Sequence, residues 1–191
     1  MPKAGRRSAG LREEVRAWFA AGRWAEIRAR LAGWDGRALA REPELAFALA
    51  AAEWRTGAWS AAERHAGTAL RAFRRRGDAR GAVRALNLLA VLRFERGKLE
   101  AAESGFAEVL EEASGLGFDL AVADAANNLG AVWSLRGEPE RALGYYRLCV
   151  PLYQRLGDGA ALGRAYHNLG IVHRDAGRWE RARAYFEKAE S

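Results

Sequence analysis

Apolar residues return at helical spacing along most of the chain, in runs such as "RGAVRALNLLAVLRFER", "AVADAANNLGAVWSLR" and "LGRAYHNLGIVHRDA". The spacing predicts helices near residues 11–21, 24–33, 43–56, 59–76, 79–96, 99–115, 119–136, 139–156, 159–176 and 179–190. No stretch carries the two-residue alternation of a strand. The breaks are marked by two glycine ladders, Gly57, Gly97, Gly137 and Gly177 beside Gly77, Gly117 and Gly157, both with a step of 40 residues. Glycine just beyond a helix is what a left-handed cap requires. A fainter copy opens the chain: "AAGRWAEIRARL" around Gly22 matches "DAGRWERARAYF" around Gly177, with a shorter step of 35 from Gly22 to Gly57. The pattern therefore predicts an all-α fold of about five antiparallel helix pairs. Residues 1–10 read as a basic, flexible arm, 11–42 as a degenerate first pair, and 43–191 as four regular repeats.

Within each pair a small residue of the first helix precedes a small residue of the second by 12 positions: Ala50 with Ala62, Ala90 with Ala102, Gly130 with Ala142 and Gly170 with Ala182. Small side chains allow two helices to approach closely. Leu129, Trp133, Leu143, Tyr146, Leu169, Tyr185 and Phe186 then read as the filling of the groove between helices.

These positions place the pattern close to a known family. In "YHNLGIVHRDAGRWERARAYFEKA", Tyr166, Leu169, Gly170, His173, Ala182, Phe186 and Ala189 stand at the signature positions of a tetratricopeptide repeat (TPR). Ala126, Leu129, Gly130, Trp133, Ala142 and Tyr146 match one unit earlier. The chain resembles that family from about residue 43 onward. The closing proline is absent, and the 40-residue period resembles the subgroup of kinesin light chains, spindle-orientation adaptors, Rap-type peptide receptors and sensor domains of signalling ATPases.

The resemblance implies a right-handed superhelical solenoid whose first helices line a concave groove. On that implication Arg84, Asn87, Leu88, Val91 and Phe94 face the groove from one repeat. Asp124, Asn127, Asn128, Ala131 and Ser134 face it from the next, and Arg164, His167, Asn168, Ile171 and Arg174 from the last. Phe47 and Trp54 would make its first half more apolar. Asparagine is a poor helix former, so its recurrence at Asn87, Asn127, Asn128 and Asn168 calls for a reason. An amide both donates and accepts, and can hold the backbone of an extended peptide whatever its sequence. The competing reading is that these amides bond a neighbouring repeat, and for Asp124 an ion pair between repeats is preferred. The expected function is a non-catalytic adaptor or sensor module binding a peptide or protein segment.

Composition narrows the chemistry. Half of the 191 residues are hydrophobic, enough for a core without metals or cross-links. Cys149 is the single cysteine, so no internal disulfide exists, and a reducing, cytoplasmic setting fits. No run approaches the ~18 apolar residues needed to span a bilayer, so no membrane partner is expected. His65, His167 and His173 lack the spacing that puts two ligands on one helix face, and no glycine-rich phosphate loop follows a strand. No enzyme, metal or cofactor is expected.

The net charge of +7 comes from 28 arginines beside three lysines, which reads as the codon bias of a GC-rich bacterial genome. "RAFRRRGDARGAVR" gathers Arg71, Arg74, Arg75, Arg76, Arg80 and Arg84. An alternative function is thus a regulatory domain of a nucleic-acid-associated protein, but no aromatics interleave with these arginines for base stacking, which disfavours it. At the other end, Ala182, Tyr185, Phe186 and Ala189 lie on a last helix with no polar cap after it. A longer protein or self-association through this end is expected.

Overall fold

The computed structural model describes residues 3–190, with side chains from residue 9 onward. Its helices are α1 (Lys3–Ala20), α2 (Trp24–Leu31), α3 (Gly36–Arg41), α4 (Pro43–Arg55), α5 (Trp59–Arg76), α6 (Ala79–Glu95), α7 (Leu99–Gly115), α8 (Asp119–Leu135), α9 (Pro139–Leu156), α10 (Gly159–Asp175) and α11 (Trp179–Glu190). Among the described residues there is no strand. The fold is an all-α array of about five helix pairs, and the chain divides into two compact units, Met1–Leu92 and Arg93–Ser191.

Both glycine ladders and Gly22 carry the conformation predicted for them. All eight glycines have positive φ, from +59° at Gly117 to +80° at Gly57, and no other described residue does. At Gly77 the cap N–H bonds back to Arg74 and Phe73, which closes α5 and turns the chain into α6.

The start of the chain departs from the expectation. Helix α1 begins at Lys3 rather than near residue 11. Of the expected arm at 1–10, Met1, Pro2 and the side chains through Ser8 lie outside the described residues, as does Ser191. The degenerate pair is explained by a broken second helix. Residues 24–41 span the length of α5, but the run stops after Leu31 and resumes as α3, where the Asp35 side chain accepts a hydrogen bond from the Ala38 N–H. Pro43 then opens α4 directly, since proline suits a first turn that needs no donor. With no glycine cap between α3 and α4, and α4 only 13 residues long, the step shrinks from 40.

In the first unit, Leu11, Val15, Ile27, Leu31, Leu45 and Leu49 form a core between α1, α2 and α4. Ala50, Ala62 and Ala66 let α4 and α5 approach, and Leu88, Leu89 and Leu92 close over them. In the second unit, Leu129, Val132, Leu143, Tyr146 and Cys149 are buried between α8 and α9. Polar ties hold neighbouring helices in register: Arg136 to Glu103 at 2.6 Å, Arg155 to Asp119 at 2.9 Å, and Arg178 to Glu140 at 2.6 Å.

The paired small residues are buried as expected, but the glycine notches receive rings rather than a backbone. A Cβ on Gly130 would stand 2.7 Å from the Tyr146 ring, and one on Gly170 would stand 2.5 Å from Phe186. Each glycine is required because the aromatic side chain four positions beyond its paired alanine occupies the space a Cβ would take.

Candidate functional site

The candidate site of the second unit lies on the two first helices α8 and α10. Asn127, Asn128 and Asn168 are half-buried there, and the Asn168 Nδ2 donates to the Asn127 Oδ1 at 3.2 Å. The amides thus bridge adjacent repeats, which is the competing reading that the sequence leaves open for them. The bridge uses one donor and one acceptor, leaving the Asn127 NH2 and the Asn168 carbonyl oxygen with hydrogen-bonding capacity beside Asn128. This accounts for asparagine in mid-helix: its side chain bonds across helices instead of competing with its own backbone.

Other expected residues are placed individually. Arg164, His167 and Arg174 are exposed on α10, and Ser134 is half-buried on α8. The His167 ring lies 5.4 Å from Phe186, leaning toward α11, while Arg174 donates to Asp175 at 2.9 Å. Asp124 accepts a hydrogen bond from the Tyr153 hydroxyl at 2.8 Å. Its burial raises its pKa, against the pull of that bond and of the Arg164 charge. Asp124 is therefore a tie between α8 and α9 held by a tyrosine, not the partner of an ion pair.

In the first unit, the Arg84 guanidinium stacks over Phe47 at 4.6 Å, and burial lowers its pKa. Both line a cleft of about 260 Å³ that α1 shares through Arg12 and Phe19. Asn87 is half-buried, its Oδ1 enclosed without a donor. Leu88, expected on the groove, is core instead. Phe94 packs against Phe106 at 6.4 Å, so it serves the contact between α6 and α7.

Two arginines of the arginine-rich segment are engaged by α3 of the preceding pair and by the start of α4. Arg75 donates to the Ala40 carbonyl at 3.2 Å, and Arg76 to the Arg41 carbonyl and the Glu44 carboxylate. These cations satisfy the last carbonyls of α3, where the helix dipole is negative.

At the C-terminal end, Ala182 is 3% exposed against α10, which removes it from any contact surface. Tyr185 stacks on His173 at 5.2 Å and Phe186 covers Gly170, so both face inward, and Ala189 is half-buried. The exposed aromatic of α11 is Trp179, at 69%.

Residues 121–191 match the tetratricopeptide repeat family. The repeats are TPR-like. Solved structures extend the likeness over the rest of the chain. BtubC (BKLC) from P. vanneervenii is 26% identical with a TM-score of 0.68, over 92% of this chain and 72% of that one. A Rap protein complexed with competence and sporulation factor is 17% identical with a TM-score of 0.77, over 92% of this chain and 51% of the other. MamA is 22% identical with a TM-score of 0.60, over 92% and 85%. This chain thus spans about half the length of the Rap protein. Among curated proteins none matches this sequence.

The TPR-like pairs offer little to covalent chemistry. Among the described residues no group of three or more His, Cys, Asp or Glu side chains is placed to hold a metal ion. Cys149 is buried in α9, and burial pushes its thiol up to about 12, far from the thiolate a nucleophile needs. Among the described residues no helix is long and apolar enough to cross a membrane. One feature of the second unit has no counterpart in the sequence pattern. Tyr146 reads there as core, and Tyr185 as core or as a contact at the C-terminal end, yet with His173 they also wall a cleft between α9 and α11.

Proposed function

We propose that the chain is a non-catalytic adaptor or sensor module that holds an extended peptide or protein segment on the first-helix face of its repeats. The amide row of α8 and α10 carries this reading. Asn127 and Asn168 fix each other across two repeats at 3.2 Å, which orients their remaining donors and acceptor before any ligand arrives. Asn128 adds a further amide, and the exposed Arg164, His167 and Arg174 supply charge and side-chain selectivity around it. The likeness to a Rap protein solved with its factor supports a ligand-holding role for such a fold. The 40-residue step supports placing these repeats with the long-period subgroup that includes kinesin light chains and Rap-type receptors.

Nucleic-acid binding through residues 71–84 is the weaker reading, because Arg75 and Arg76 already cap α3 and Arg84 covers Phe47.

The test is selection of a displayed random-peptide library on the wild-type protein. Enriched peptides are expected to lose tenfold or more in affinity for the N127A/N128A variant. The variant should lose only about 0.5–1.5 kcal/mol of stability, the worth of one part-buried hydrogen bond. Failure to enrich any peptide, or equal binding by the variant, would reject this use of the α8–α10 face.

A further inference from the structure

Between α9 and α11, floored by α10, lies a cleft of about 530 Å³. That volume falls within the range of small-molecule sites. Its walls carry Arg147, Arg178, Arg181 and Lys188, and its lining includes no carboxylate. Beside the cleft, Glu140 accepts a hydrogen bond from Arg178 at 2.6 Å.

The floor is aromatic: Tyr166, His173 and Tyr185, with Tyr146 beside them. The Lys188 ammonium stands 5.4 Å from the Tyr185 ring and 5.8 Å from Tyr166. His173 is 4% exposed, and its buried Nδ1 has no hydrogen-bond partner. Pro151, also in the wall, has no N–H, so the Arg147 carbonyl in the preceding turn loses its helical donor.

The 40-residue register supplies an internal comparison. One repeat earlier, the positions of Arg147, Pro151, Arg178 and Lys188 hold Ala107, Glu111, Glu138 and Leu148, while Arg181 corresponds to Arg141. The helix scaffold is the same, yet two cations become uncharged residues, one becomes an acid and the proline becomes another acid. The concentration of positive charge is therefore a property of this cleft and not of the arginine-rich composition. The floor differs in the same way, with Ala126 and Trp133 in place of Tyr166 and His173.

We infer that the cleft between α9 and α11 binds a small organic anion, a phosphate or carboxylate head joined to an aromatic body. The arginines form bidentate bonds with the head, as guanidinium geometry allows. The ring of the ligand rests on the tyrosine floor. The site is separate from the α8–α10 face and does not depend on peptide binding there.

Isothermal titration calorimetry with phenyl phosphate, 3-phenylpropionate and inorganic phosphate tests it, and comparing the first two assigns the head. Saturable binding is expected for at least one aromatic anion, at least tenfold tighter than for inorganic phosphate. R147E and R181E, both at exposed positions, should each weaken it tenfold or more while leaving the melting temperature unaltered. R64E, on α5 in the first unit, controls for net charge and should bind as wild type does. No saturable binding of either aromatic anion overturns the inference. Equal affinity in R181E, or an equal loss in R64E, overturns it as well.

Discussion

Gly130 and His173 show how far a single side chain sets the behaviour of its repeat. Gly130→Ala places a methyl group 2.7 Å from the ring of Tyr146, a side chain buried between α8 and α9. Overpacking of this kind should destabilise the protein by about 1–3 kcal/mol in denaturant unfolding, despite the better helix propensity of alanine. His173 governs a pH response. Burial, then the charges of Arg178 and Arg181, hold its pKa below the ordinary 6.5, while Glu140 pulls the other way. The unfolded chain therefore takes up the proton first. This contribution to stability is complete above about pH 6.5 and is lost as pH falls through the folded value. Asp124 has the opposite sign: its raised pKa favours the folded state below its ordinary 3.8, and that advantage disappears as pH rises through the folded value. His173→Phe keeps a ring on Tyr185, as Trp133 supplies a ring one repeat earlier. Unfolding free energy should fall less in this variant than in wild type between about pH 7.5 and about pH 5.5.

At the scale of a helix, α9 contains its own weak point. It runs unbroken from Pro139 to Leu156 with Pro151 inside it. Pro151→Ala restores a donor to the Arg147 carbonyl and removes the ring from the preceding turn. It should raise stability by about 1–3 kcal/mol, less than the full helix penalty because proline also restrains the unfolded chain. A lower melting temperature would show that α9 is shaped around the proline. The helix ends behave differently from the helix interiors. Gly137 has φ of +74°, and a Cβ added there would meet nothing within 4 Å, so Gly137→Ala encounters only backbone strain. Gly57→Ala is in the same situation, and both should lose a similar ~1–2 kcal/mol in urea melts. Unequal losses would mean that contacts, and not conformation, hold one of the caps.

For the molecule as a whole, the periodic features are legible in the sequence and the combinatorial ones are not. The two ladders announce the helix ends because left-handed caps demand glycine locally. The break between α2 and α3 escapes the pattern because Asp35 caps a helix too short for its period to register. The amide row is readable since Asn127, Asn128 and Asn168 recur on the same face of successive first helices, whereas their mutual bond depends on how α8 and α10 sit together. The cationic cleft is invisible in the sequence because three helices contribute to it and its aromatics occupy positions typical of core. The same inward setting bears on self-association. Tyr185 stacks on His173, so Tyr185→Glu should lower the melting temperature rather than change a mass measured by sedimentation equilibrium. A change in mass with unaltered stability would make α11 a contact surface after all.

The match between each glycine notch and its ring has an evolutionary corollary. Gly130 and Tyr146 lie on opposite sides of the cap at Gly137, as Gly170 and Phe186 do around Gly177. Recombination at those caps would part each notch from the ring that fills it. Breakpoints at Gly117 and Gly157 would keep Gly130 with Tyr146 and leave Gly170 with Phe186. A cassette of residues 118–157 would thus carry its glycine notch and the ring that fills it together in any duplication or exchange.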